Sequence, residues 1–301
     1  MNNQAQRVAT AAVGIPLAAV VVWNGGLPLV LVVALIAWLG TRELFDLAER
    51  TGVRALRPVG MLLAALVPLV TWLVTTPLER SLNPVEGFVA SVLAPLWLWV
   101  QWPLVVVLIP VLVLGVVLFR RTPAQRPLAV AAVTLLGPVY CGLLPSALLL
   151  TRFAAGPDRS LAAAALVFFP LVITWLCDSF AMWGGKAIGG PKLWPEISPG
   201  KTRSGGVAGL LGGTVAALAY VPLVLTPLGR GIPLGQAVVT GLVISLVAQL
   251  GDLVESLFKR EAGVKDSGSL IPGHGGVLDR FDSLYFVLPV AALLYRGFGI
   301  L

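Results

Sequence analysis

Charge, histidine and cysteine are all scarce in this sequence, and each shortage narrows what the chain can do. Only 12% of its 301 residues are charged, against 57% hydrophobic, and no soluble domain longer than a loop is visible. The two cysteines, Cys141 and Cys177, belong to no CxxC pair and both fall inside apolar runs. That excludes a disulfide framework or a cysteine zinc site and leaves them as packing residues. There is one histidine, His274. Internal repeats and low-complexity tracts are missing too. No convincing small-residue cleavage site follows the first apolar run, which therefore reads as a retained helix.

What is present is apolar length. Mean hydropathy is +0.93, and apolar runs recur near the ~20 residues needed to cross a bilayer. Backbone polar groups in hydrocarbon must be satisfied within their own helix, so the expected fold is all-α, a polytopic transmembrane helix bundle forming one membrane-embedded domain over 1–301. Charges and turn residues delimit about nine spans, near 8–23, 27–47, 59–76, 88–119, 128–150, 161–182, 205–227, 232–255 and 283–299. Pro95, Pro103 and Pro110 make the fourth long enough to be either one span or a broken one. With a cytoplasmic N-terminus, every lysine and arginine except Arg80, Arg152, Arg159, Arg230 and Arg296 falls on the inner side, as the positive-inside rule requires. The formal charge of +7 then points to anionic membrane lipid rather than nucleic acid as the basic partner.

The polar residues are concentrated. The stretch 256–282, SLFKREAGVKDSGSLIPGHGGVLDRFD, gathers Lys259, Arg260, Lys265, Asp266, His274, Asp279, Arg280 and Asp282 among five glycines. Such a mix suits a polyanion held with a metal. Asp178 and Asp252 sit at the inner ends of the sixth and eighth spans, where an unpaired carboxylate costs at least ~2.5 kcal/mol on insertion scales. A hard cation such as Mg²⁺, which keeps waters and substrate phosphates beside one or two carboxylates, fits them; the alternative for each is a helix-packing ion pair. Between the sixth and seventh spans, GGKAIGGPKLWPEISPGKTRSGG reads as a phosphate-facing loop, with a merely solvated basic loop as the alternative for Lys186, Lys192 and Lys201. It is not a P-loop, because Pro195 stands where GxxxxGK[ST] needs its first glycine. Two spans separate the loops 183–204 and 256–282, which puts them on one face of the membrane, able to build one site. Gly205, Gly209 and Gly213 form a small-xxx-small pattern expected to pack helices closely.

These residues resemble the phosphatidate cytidylyltransferases (CDP-diacylglycerol synthases). The family's C-terminal signature is matched at Ser256, Phe258, Lys259, Arg260, Lys265, Asp266, Gly268, Ile271, Pro272, His274, Gly275, Gly276, Asp279, Arg280 and Asp282. A second region is matched at Asp178, Ser179, Ala181, Gly185, Lys186, Gly189, Ile197, Ser198, Pro199, Lys201 and Thr202, with departures at Met182, Gly190 and Ser204. The resemblance implies transfer of the cytidylyl group from CTP to phosphatidic acid. It implies Asp252, Lys259, Arg260, Lys265, Asp266, His274, Asp279 and Arg280 as catalytic. Lys186, Ser198, Lys201, Thr202, Ser256, Gly275, Gly276 and Asp282 would bind substrate, and Asp178, Asp252 and Asp279 would hold Mg²⁺, with room for a second, monovalent cation such as K⁺. It also implies a homodimer in the bacterial inner membrane with its site facing the cytoplasm, the spans of 1–127 as scaffold and 128–301 as the catalytic part. Another CTP-dependent lipid enzyme such as a polyprenol kinase, or an anionic-lipid transporter, is the alternative.

Overall fold

In the computed structural model, residues 3–75, 102–271, 273 and 275–301 are described. Helices dominate: α1 (Asn3–Asn24), α2 (Gly26–Arg50), α3 (Arg57–Thr75), α4 (Trp102–Arg120), α5 (Pro127–Ala155), α6 (Leu161–Ile188), α7 (Arg203–Leu228), α8 (Leu234–Glu261) and α9 (Leu278–Gly297). Each corresponds to one apolar run of the sequence. Six of them (α2, α3, α5, α6, α7 and α8) are long and apolar enough to cross a membrane, and large apolar side chains such as Leu118, Phe119 and Leu223 face outward, as lipid contact requires. The chain is an all-α integral membrane bundle.

Two differences from the sequence reading have physical causes. The first is in the fourth run: α4 continues unbroken through Pro110, and residues 88–101 of that run lie outside the described residues. Neighbouring helices re-satisfy the carbonyl that a proline frees, so prolines are tolerated in membrane helices. The second is that α6 and α8 run on past the expected span ends, to Ile188 and Glu261, so that Lys186 and the start of the signature stretch, Ser256 to Arg260, are helical. Between α6 and α7 the chain forms a short antiparallel hairpin, β1 (Lys192–Trp194) and β2 (Ser198–Thr202), with Lys192 opposite Thr202 and Trp194 opposite Ser198.

The largest buried cluster joins α6, α7, α8 and α9 through Phe169, Ile173, Ala217, Ile244, Ala248, Val287 and Tyr295. Glycines set its closest approaches. A Cβ on Gly205 would stand 2.7 Å from the Ala181 carbonyl oxygen, one on Gly209 3.0 Å from that of Cys177, and one on Gly213 would collide with Ser245 Oγ. The small-residue stripe of α7 therefore packs against both α6 and α8. On α8 itself, a Cβ on Gly251 would lie 2.8 Å from the Asp282 carbonyl oxygen, so α8 and α9 touch beside Asp252.

The two ends of the bundle are distinct. At one, Arg152 is fully buried and donates to the carbonyls of Val22 at 2.7 Å and Trp23 at 2.9 Å, closing the end of α1, while Arg230 donates to Ala155 at 2.6 Å. At the other, Arg121 donates to the Arg54 carbonyl at 2.9 Å and Arg260 to that of Ile197 at 3.1 Å. Arg152 and Arg230 thus stand at the opposite end of their helices from Arg121 and Arg260.

Candidate active site

At the second end, α6, α7, α8 and the hairpin enclose a cavity of about 600 Å³. Asp178 of α6, Asp252 of α8, and Lys186, Lys192 and Lys201 all line it, with Thr202, Gly205 and Gly206. The two polar segments separated by two spans meet at its edge, where Arg260 donates to the Ile197 carbonyl. Lys201 Nζ lies 2.5 Å from Asp252 Oδ2, and Ser256, one turn further along α8, donates to Asp252 Oδ1 at 3.3 Å. Asp282, in the first turns of α9, is within electrostatic reach of both Asp252 and Asp178. Lys201 thus lies against Asp252 and within electrostatic reach of Asp178. The carboxylate oxygens of Asp178 and Asp252 are the donor type a hard cation takes, although among the described residues no three acids, histidines or cysteines stand close enough to ligate one ion by themselves.

The SPGKT segment shapes the cavity wall. Thr202 ends β2 and caps α7, its hydroxyl accepting from Gly205 N at 3.1 Å, while Ser204 donates to the Gly189 carbonyl. The first turn of α7 therefore opens onto the cavity with its amides and the positive end of its dipole, which favours an anion there. Gln249, unremarked in the sequence, also lines the cavity and holds this turn by donating to Gly206 O at 3.2 Å. An amide side chain in an apolar helix, one turn before Asp252, was the available signal.

The signature stretch divides between the edge of this cavity, where Ser256 meets Asp252, and a buried polar layer beside it. Lys259, expected to meet substrate, bonds Glu255 Oε2 at 2.6 Å and Asp279 Oδ1 at 2.7 Å, and its side chain is only 10% exposed. Asp279 accepts from Ser267 N at 2.8 Å and Gly276 N at 2.8 Å, with Ser267 Oγ 2.9 Å away and its one proton shared with Glu43. Its oxygens are thus occupied, and the structure brings Asp282 rather than Asp279 to Asp178 and Asp252. Arg260 is engaged by the carbonyls of Ile197 and Val264, which joins the signature loop to the hairpin. Ser198 is half-buried in β2, Lys265, Asp266 and Arg280 are exposed, and Gly275 is at φ 82°, turning the loop so that Ile271 pairs with it. His274 lies outside the described residues.

Two acids that the sequence reading passed over complete the buried layer. Glu255 is fully buried against Lys259, an i,i+4 pair whose spacing was visible. Glu43 of α2, 6% exposed, lies 2.9 Å from Ser267 Oγ and accepts from Val277 N at 2.9 Å and Leu278 N at 2.8 Å. An acid at the inner end of an apolar run was the signal for Glu43, the same one that marked Asp178 and Asp252.

The sequence profile described as the cytidylyltransferase family matches residues 5–298. A protein of Staphylococcus aureus (strain COL) named phosphatidate cytidylyltransferase is 48% identical over 128 residues, 42% of this chain and 48% of the relative. Proteins of the same name from Bacillus subtilis (strain 168) and Brucella abortus biovar 1 (strain 9-941) are 46% identical over 133 residues and 43% over 159. These cover 44% and 53% of this chain, and 48% and 54% of the relatives, so the chain spans about half the length of the curated relatives it matches. With the profile covering nearly its whole length, the chain belongs to the cytidylyltransferase family.

Proposed function

We propose that the protein transfers the cytidylyl group from CTP to phosphatidic acid, giving CDP-diacylglycerol and pyrophosphate. One observation carries the reading: carboxylates and lysines from segments far apart in sequence line a single cavity at one end of an apolar bundle, in a chain whose relatives bear the name of that activity. A phosphate oxygen of the lipid attacks the α-phosphorus of CTP, a new P–O–P bridge forms, and the bond to the β-phosphate breaks with pyrophosphate leaving. The attacking phosphomonoester is already ionised near neutral pH, so the residues have no proton to remove. Their work is alignment and charge neutralisation.

Lys186, Lys192 and Lys201 draw in the triphosphate, and the first turn of α7 with Thr202 receives phosphate oxygens on its amides. Asp178 and Asp252, with Asp282 beside them, are the residues that would hold Mg²⁺, which when bound neutralises charge on the reacting phosphates. Lys201 is paired with Asp252 and lines the cavity that a phosphate would enter, so it has two alternative anionic partners. A cytoplasmic orientation of this end is supported by the Lys/Arg asymmetry, and a bacterial inner-membrane homodimer by the family resemblance.

The test is incubation of purified protein in micelles with labelled CTP and phosphatidic acid, with and without Mg²⁺. CDP-diacylglycerol should appear only with the metal. Phosphorylation of an added polyprenol, or no nucleotide-dependent product at all, would overturn the assignment.

A further inference from the structure

The buried contact between α2 and the signature loop joins residues more than two hundred positions apart. Glu43 accepts from the amides of Val277 at 2.9 Å and Leu278 at 2.8 Å, and Ser267 Oγ, whose one proton it shares with Asp279, lies 2.9 Å away. Those two amides open α9 and have no partner within it, so a carboxylate from another helix caps α9 and neutralises the positive end of its dipole. The fit leaves no slack. A Cβ on Gly276 would collide with Glu43 Oε2 and with Ser267 Oγ, and one on Gly268 would stand 2.7 Å from Glu43 Oε1.

Ser267 extends the contact, because its hydroxyl lies 2.9 Å from both Glu43 Oε2 and Asp279 Oδ2. Asp279 in turn meets Lys259 of α8 at 2.7 Å. Glu43 therefore fixes the start of α9 along its axis and, with Asp279, about it. Asp282 follows Asp279 by three residues on the same helix face, and is the acid that α9 contributes beside Asp178 and Asp252.

We propose that Glu43 is a positioning residue for the reaction: by capping α9 across the bundle it sets where Asp282 stands relative to Asp252 and Asp178. The proposal rests on the cytidylyltransferase reading of that carboxylate group, and it extends the functional part of the chain from 128–301 to α2. Glu43 touches neither the cavity of Asp178 and Lys201 nor anything bound in it. Its loss therefore leaves nucleotide capture intact and misplaces the groups that align the reaction.

Glu43→Gln keeps the shape but turns an amide N–H₂ toward donors that need an acceptor, and Glu43→Asp keeps the charge on a shorter stem. In full-length protein in micelles, Glu43→Gln is expected to lower kcat roughly tenfold or more, the scale of ångström-level misplacement, with KM for CTP nearly unchanged and with partial recovery in Glu43→Asp. Trypsin cleavage after the exposed Lys265 reads the loop without any turnover, and it should accelerate in Glu43→Gln. If Glu43→Gln does not insert, Ser267→Ala removes one donor without altering α2 and takes its place in both arms. Unchanged kcat and unchanged cleavage overturn the proposal, as does a lowered thermal midpoint with normal kcat per folded molecule, which is what a purely structural contact gives. Wild-type protein that forms no CDP-diacylglycerol defeats the functional reading instead, and the cleavage arm then judges Glu43: an unaltered rate rejects its hold on the loop.

Discussion

Replacing Asp252 by asparagine separates the chemistry of the cavity from the stability of the bundle. Asp252 and Lys201 are 2.5 Å apart, but their side chains are 30% and 29% exposed. An ion pair that open to solvent contributes about 0–1 kcal/mol to stability, so Asp252→Asn should shift the thermal midpoint by only about 2–4 °C. The catalytic loss should be of another size. Removing one preorganised charge from a site of charge development costs about 10²–10³ in kcat, or about 3–4 kcal/mol, and Asp252 is the acid shared by Lys201, Ser256 and the electrostatic group with Asp178 and Asp282. Without metal, the variant should hold CTP at least as well as wild type, because Lys201 loses its competing carboxylate. The assay pairs CDP-diacylglycerol formation with intrinsic tryptophan fluorescence during heating, on the same preparations. A folded Asp252→Asn protein turning over within a factor of about three of wild type would falsify the placement of Asp252 in the reacting group, and a midpoint lowered by more than about 10 °C would show that the pair is structural instead.

Four further outcomes are expected. Lys259→Met strands two buried carboxylates, Glu255 and Asp279, whose side chains are 0% and 4% exposed; it should cost about 3–5 kcal/mol, seen as a large fall in the thermal midpoint before any kinetic measurement. Gly276→Ala should lower activity and stability together because its Cβ collides with Glu43 and Ser267, whereas Gly235→Ala, in open space within α8, should be neutral or stabilise by up to about 1 kcal/mol through helix propensity. Chelation with EDTA should abolish CDP-diacylglycerol formation and added Mg²⁺ should restore it; full activity in the chelator removes the metal from the proposal. For orientation, Ser269→Cys at the exposed loop should react with an impermeant maleimide only from the cytoplasmic side, on a background where Cys141 and Cys177 are both buried. Labelling from outside reverses the assigned topology. Position 267 is unsuited to that experiment, since Ser267 is buried between Glu43 and Asp279.

The helices were legible because what makes a membrane span, a local run of apolar length, is wholly contained in the run itself. Asp178, Asp252 and Lys201 were legible for the complementary reason: a polar residue at the edge of such a run has to be explained by something. The ends of α6 and α8 were not, because a helix that leaves hydrocarbon can continue into a polar cavity without any change in its backbone, and composition marks only where the lipid stops. Nor was the hairpin, whose strands of three and five residues are too short to show an alternating pattern. The division of the signature between cavity and buried layer was hidden most deeply. Lys259, Asp279 and Asp282 look alike as charges in one polar stretch. Which of them is consumed depends on Glu255 four residues back and on Glu43, separated from Ser267 by 224 positions.

That division also accounts for where the site lies in the bundle. Charges deep in apolar surroundings persist when they are paired or hydrogen-bonded: Lys259 bridges Glu255 and Asp279, and Glu43 is held by the amides of Val277 and Leu278. Groups that must exchange partners during a reaction cannot meet that condition, since an ammonium such as Lys201 has to remain free to leave one anion for another. They are confined to the edge of the hydrocarbon, where water screens them between events. The proposed reaction would impose the same location from the substrate side: a triphosphate approaches only from water, while a lipid phosphate sits at the interface. The fixed layer behind the cavity and the exchangeable charges within it are thus two solutions to one solvation problem. Glu43 belongs to the first and acts, through α9, on the second.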